Sequence, residues 1–433
     1  MKHCKAVVTA AALTTTIAAS ANTYYVAPNG RDANEGTLAA PWSSIAHAQK
    51  IAAPGDVIYF RGGTYSYKTG TTSCESKTDT VSAVDLYKSG TSGRPIRYFA
   101  YPGETPVFNF SKMRDDCRIK GFNVTGSWIH LKGLELTGAP QNNNLNHESW
   151  GIWITGSHNV FEQLDTHHHM GPGLFIKNGS YNLVLNTDSH HNYDPLTSNG
   201  AGQSADGFGA HIAANNPGNI FRGCRAWWNS DDGFDLINAY SPVVIENSWA
   251  WLHGYLPGTL TPVHAGNGNG FKAGGYGGKF VANAPKHTVR FSVAFSNKAS
   301  GFYTNHHPVA NDFFNNTSYA NGIDFNMLGV DTSGAQINLG NLRNNIAYVG
   351  TPVLNVSGAN DAYNSWNLRV IMADSQFENV STSGWDAPRQ ADGSLPKLNN
   401  LHLSMRSGFI GKGVDVGLPF KGTAPDLGAF ERH

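Results

Sequence analysis

From Gly151 to Gly322 the chain repeats a short alternation: a glycine, an apolar residue, a variable residue, then an apolar or small one. The copies begin Gly151-Ile-Trp-Ile, Gly173-Leu-Phe-Ile, Gly207-Phe-Gly-Ala, Gly233-Phe-Asp-Leu, Gly270-Phe-Lys-Ala, Gly301-Phe-Tyr-Thr and Gly322-Ile-Asp-Phe, at steps of 22, 34, 26, 37, 31 and 21 residues. A second short alternating run follows in each step, as in Asn159-Val-Phe-Glu, Asn182-Leu-Val-Leu and Asn219-Ile-Phe-Arg. A third follows that, as in Cys224-Arg-Ala-Trp-Trp-Asn and Ser248-Trp-Ala-Trp-Leu-His. A period of two within each run, no helical period between runs, and a repeat of this length predict an all-β solenoid with three short strands per coil, a right-handed parallel β-helix. Each coil would bury its apolar positions only against its neighbours.

The third run ends in a polar residue four positions before the next glycine, as at His169, Asn229 and Asn297. Stacked on successive coils, such side chains can satisfy one another and the corner backbone. Asn192, Asn229 and Asn297 are therefore read as a structural ladder, with His169 and His253 as substitutes. Two insertions break the regular coil, of 13 residues between Asn192 and Asp206 and of 16 between His253 and Gly270. Long insertions in an otherwise economical fold are usually functional. The alternation fades past about Leu339.

Residues 1–21, with a basic start, a short apolar core and small residues near Ala19-Ser20-Ala21, read as a secretory signal peptide. Residues 22–433 then form one β-helix domain, with a capping segment over about 22–65 and an irregular closing tail over about 390–433. An exported chain can pair Cys74 with Cys117, leaving Cys224 at an inward strand position as a free buried thiol. Charged residues make up only 14% of the chain and the formal net charge is zero, which excludes a basic nucleic-acid-binding surface. No span suits a membrane crossing in the mature chain, and nothing in the repeat demands a partner subunit, so a secreted monomer is expected.

Against this sparse charge the repeat overlay concentrates acid. One position before the glycine, successive coils place Asp206, Asp232 and Asn269; two positions after it they place Gly209, Asp235 and Lys272. The residues flanking Asp235 and Lys272 are apolar, so these two point outward, and on adjacent coils they stand about 4.8 Å apart. With Asp231, four carboxylates converge. Such a density needs protons or a cation, and hard oxygen ligands without Cys or His suit Ca2+. Aspartates before glycines also cap turns, which accounts for Asp206 and Asp232 but not for Asp231 or Asp235. A lysine beside a divalent cation has its pKa depressed and can act as a base. Cation and base together suit β-elimination at a uronic acid, with Lys272 removing the C5 proton. Gly209 would leave room for ion or substrate.

The segments Ser204-Ala-Asp206-Gly-Phe, Asn229-Ser-Asp231-Asp232-Gly-Phe-Asp235 and Gly266-Asn-Gly-Asn-Gly-Phe-Lys272 resemble the core motifs of the family 9 polysaccharide lyases, pectate lyases built on a ten-coil parallel β-helix. The resemblance extends to the Ala424-Pro-Asp-Leu-Gly-Ala-Phe-Glu ending. It implies that Asp206, Asp231, Asp232 and Asp235 hold a catalytic calcium, that Lys272 is the Brønsted base, and that the substrate is polygalacturonate or pectin. Rhamnogalacturonan and other uronic-acid polysaccharides are alternatives within the same chemistry. A β-helix polygalacturonase would share the aspartates but need neither metal nor Lys272. A non-catalytic glycan-binding β-helix would keep the outward aromatics Trp153, Phe175 and Tyr303 without an aligned base. The histidine runs at 167–169, 190–191 and 306–307 have no common register for zinc and are expected in corner packing or substrate contact. Lys298, Asn305, Arg222 and Arg225 are candidates for contacting substrate carboxylates.

Overall fold

The computed structural model describes residues 20–432 except 69, 71, 77, 143–147, 198, 199 and 357–359. Most of the expected signal peptide, with Cys4, lies outside this range.

Alternating apolar residues close into stacked triangular coils. One face is a sheet of twelve parallel strands running from Thr23–Val26 and Val57–Phe60 to Asn341–Arg343 and Asp361–Ala362. The other two faces join into a second parallel sheet. The right-handed parallel β-helix read from the repeat is therefore present, and it is longer than the repeat suggests. Strands within the expected capping segment are themselves the first rungs, flanked by a short helix, Ile45–Ile51, whose N-cap Ser44 accepts from the His47 amide. At the other end the rungs continue past Leu339 through Ile346–Leu354.

The corner chemistry explains the glycine of the middle coils. A Cβ at Gly207 would stand 2.8 Å from the Asn229 amide nitrogen, and at Gly270 3.0 Å from that of Asn297. The repeat glycine admits the ladder residue that follows it, whereas Gly121, in register one coil before Gly151, faces Phe110 instead. The ladder runs as expected: the amides of His169, Asn192, Asn229, His253 and Asn297 donate in turn to Asn192, Asn229, His253, Asn297 and Asn321 at 3.0–3.3 Å. A second ladder, Asn159 to Asn182 to Asn219, lines another corner. Inside, Phe208, Phe234, Phe271, Phe302 and Phe325 stack at 4.8–4.9 Å, one ring per coil.

The C-terminal residues pack over one face of the second sheet, where Trp385 meets Trp249 and Phe295. Cys74 and Cys117 are bonded, and Cys224 is a free buried thiol. No helix among the described residues is long and apolar enough to cross a membrane.

Candidate active site

The register of one face decides which side chains meet. Parallel pairing places Gly209 opposite Asp235 and Asp235 opposite Lys272, although 37 residues separate the last two in the chain. The row continues through Trp153 and Phe175 on one side and Tyr303 on the other. Lys272 Nζ lies 3.0 Å from Asp232 Oδ2 and 3.2 Å from Asp235 Oδ2. Asp206, Asp232 and Asp235 each offer a carboxylate oxygen within 4.8 Å of the others. Asp231 lines the same cleft, but its Oδ1 is taken by the Asn267 backbone amide at 2.6 Å and side-chain amide at 3.0 Å.

Asp235 and Lys272 point out of the solenoid, yet they are only 4% and 7% exposed. The two insertions account for the difference. The first returns through Ser204, whose amide bonds Asp194, and the second is pinned where Lys298 Nζ donates to Val263 O at 2.6 Å and to Gly266 O. Together they raise walls around a row that a plain coil would leave solvated. The result is a cleft of about 640 Å³.

Burial pushes Asp206 and Asp231 well above the usual carboxylate range, and the neighbouring aspartates push them the same way. Asp232 is also raised by burial, against the pull of the Lys272 charge. Burial acts on Asp235 too, but Lys272 and His211 prevail and hold it at about 2. For Lys272 burial favours the neutral amine, while the charges of Asp232, Asp235, Asp231 and Asp206 outweigh it and hold the group well above the usual lysine value. The protein alone thus protonates the candidate base, the opposite of the depression expected beside a bound cation.

The residues fit a hard cation. The donors are carboxylate oxygens, the site is buried, and Asp232 Oδ2 makes no hydrogen bond despite its closeness to Lys272. No histidine or cysteine group among the described residues forms a comparable cluster. The histidine runs instead stack: His167 on His190, and His190 on Trp227 at 4.1 Å.

Several sequence expectations change. Gly209 does not leave space; the Phe175 ring lies over it, and a Cβ there would stand 2.5 Å from that ring. Gly209→Ala should therefore displace Phe175, costing about 1–3 kcal/mol of stability by overpacking and raising KM; an unchanged melting midpoint and KM would show that the ring is not locked. Arg225 is buried against Asp188 at 2.6 Å and donates to Trp385 O and Ala387 O, so it anchors the tail rather than a substrate. Arg222 pairs with Glu246, Asn305 donates to Gly274 O, and Lys298 holds the second insertion. Sequence reasoning missed Arg118, Trp150, Lys177 and His211, which line the cleft. Lys177 and His211 immediately follow the strands Leu174–Ile176 and Phe208–Ala210, just past the overlaid positions. Arg118 and Trp150 lie on coils outside the overlaid glycine motifs or at their very start.

Residues 24–345 match the family described as Pel9A-like, right handed beta helix region. Pectate lyase L of Dickeya chrysanthemi is 39% identical over 415 residues, covering 95% of this chain and 90% of its own. The crystal structure of pectate lyase Pel9A superposes with a TM-score of 0.80 at 39% identity, over 96% of this chain and 97% of that one. A rhamnogalacturonan lyase superposes with a TM-score of 0.83 at 34% identity, over 89% and 97%. The chain belongs to the Pel9A-like right-handed β-helix family.

Proposed function

We propose that this protein is a secreted, calcium-dependent pectate lyase that cleaves α-1,4-polygalacturonate by β-elimination and leaves 4,5-unsaturated ends. The observation that carries the reading is the convergence of Asp206, Asp232 and Asp235 with the Lys272 ammonium in one walled cleft. Asp206, Asp231, Asp232 and Asp235 would hold the calcium. Bound there, calcium supplies positive charge that stabilises the uronate carboxylate as the C5 proton becomes acidic.

The chain's own residues then do the following. The carboxylates keep Lys272 protonated until their charge is taken up, so Lys272 becomes a base only in the loaded site. As a neutral amine it removes the C5 proton, and the electron pair expels the glycosidic oxygen from C4. The walls around the row exclude bulk water, which strengthens each charge interaction. No water is consumed, which separates this chemistry from a hydrolase built on the same aspartates. The Cys74–Cys117 disulfide suits an oxidising, extracytoplasmic setting.

The test is the ultraviolet absorbance of polygalacturonate incubated with the protein, with calcium and then with a chelator. A calcium-dependent rise from the double bond conjugated to the carboxylate is expected. New reducing ends without that rise would make the protein a hydrolase. The likeness to a rhamnogalacturonan lyase favours one second reading, elimination at the uronate of a mixed backbone, and rhamnogalacturonan in the same assay distinguishes it.

A further inference from the structure

The row that carries Asp235 and Lys272 continues toward the N-terminal coils as Phe175 and Trp153. These rings stack along the solenoid axis, with centroids 5.2 Å apart and planes 9° from parallel. Lys120 Nζ covers the far side of Trp153 at 4.7 Å, and Phe175 lies against Gly209 on the near side. Both faces of the stack are therefore occupied, and only ring edges are left for the cleft. Ring edges carry the positive part of the aromatic quadrupole. Two further cations line this end, Arg118 over Trp150 at 4.2 Å and the exposed Lys177, which forms no ion pair among the described residues. The carboxylate there, Glu148, is paired with Arg118.

We propose that this end of the cleft is a subsite for further acidic sugar units, whose carboxylates meet Lys177 and the edges of Trp153 and Phe175. A neutral sugar that binds by laying its apolar face on a ring finds no free ring face here. The subsite therefore selects a run of uronates over a backbone that alternates uronate with a neutral deoxysugar. This selectivity rests on the lyase reading above; occupancy of the subsite does not.

Wild type, Lys177→Gln and Trp153→Ala are compared on polygalacturonate and on rhamnogalacturonan at saturating calcium, and trigalacturonate binding is measured by calorimetry. Lys177→Gln should raise KM on polygalacturonate and weaken trigalacturonate binding about threefold, the scale of an exposed ion pair. Trp153→Ala should do so about tenfold. Turnover at saturation and calcium affinity should stay unchanged, and the rise of KM with salt should be shallower in Lys177→Gln than in wild type, which loss of packing alone would not produce. Unchanged trigalacturonate affinity in both variants overturns the subsite. Wild-type turnover of rhamnogalacturonan as fast as of polygalacturonate overturns the selectivity. Trigalacturonate binding that weakens as expected, in a wild type inactive on both polymers, supports the subsite and overturns the lyase reading alone.

Discussion

Lys272→Ala is expected to lower kcat by about 10²–10⁴-fold, the range a positioned general base contributes, without loosening calcium. Its amine is the cationic group closest to the carboxylate cluster, within 3.2 Å of two of the aspartates. The same variant has a structural signature. Without calcium, Lys272 neutralises part of a buried group of carboxylates, and removing one partner of a buried ion pair leaves the others uncompensated. The melting midpoint in chelator should therefore fall below that of wild type, and calcium should restore it. Rapid turnover in Lys272→Ala would move the proton-abstracting role, with His211, 3.7 Å from Asp235, the next base in the cleft.

Asp235→Ala is expected to weaken calcium binding about 100-fold, since affinity at oxygen sites follows the number of charged ligands. Calorimetry on the purified variant measures it. Far-ultraviolet circular dichroism should remain that of the β-helix, because the Asp235 side chain faces the cleft and the solenoid core is built from the stacked phenylalanines behind it. The substitution removes more than a proposed ligand. Asp235 Oδ1 also accepts from the Ile237 amide at 2.7 Å, and its other oxygen holds Lys272 in place. Asp235→Asn keeps the first contact and removes the charge, so it should lose the calcium while its melting midpoint in chelator falls less than that of Asp235→Ala. Unaltered affinity in both variants would take Asp235 out of the metal site.

Much of this was legible in the residues because a parallel β-helix is close to a one-dimensional object. Once the repeat glycines from Gly151 to Gly301 are aligned, in-register pairing follows, and Asp235 beside Lys272 is a matter of counting, whereas the Gly322 copy is displaced by two residues because Phe302 pairs with Phe325. The asparagine ladder was readable for the same reason, since each member follows, within one coil, the repeat glycine that makes room for it. The terminal coils were not readable. Thr23–Val26 and Val57–Phe60 alternate as any short strand does, and they lie in the twelve-stranded sheet, where no coil carries the repeat glycine.

Alone, the sequence determined the strand period, the coil register, the identity of the acidic and basic residues that share a face, and the pairing open to Cys74 and Cys117. Each is a local or nearest-neighbour property, expressed in spacing. The tertiary structure decided the rest. It turned an outward, nominally solvated row into a buried cleft, because the paths of the two insertions depend on contacts such as Lys298 with Val263 and Gly266. It filled the space above Gly209 with Phe175, a choice of side-chain direction between neighbouring coils. It also drew Arg225 away from the substrate side and into the tail, through contacts 160 and 162 residues apart in sequence. Burial, ring direction and long-range anchoring are set by what packs from elsewhere in the chain, and no repeat period encodes them.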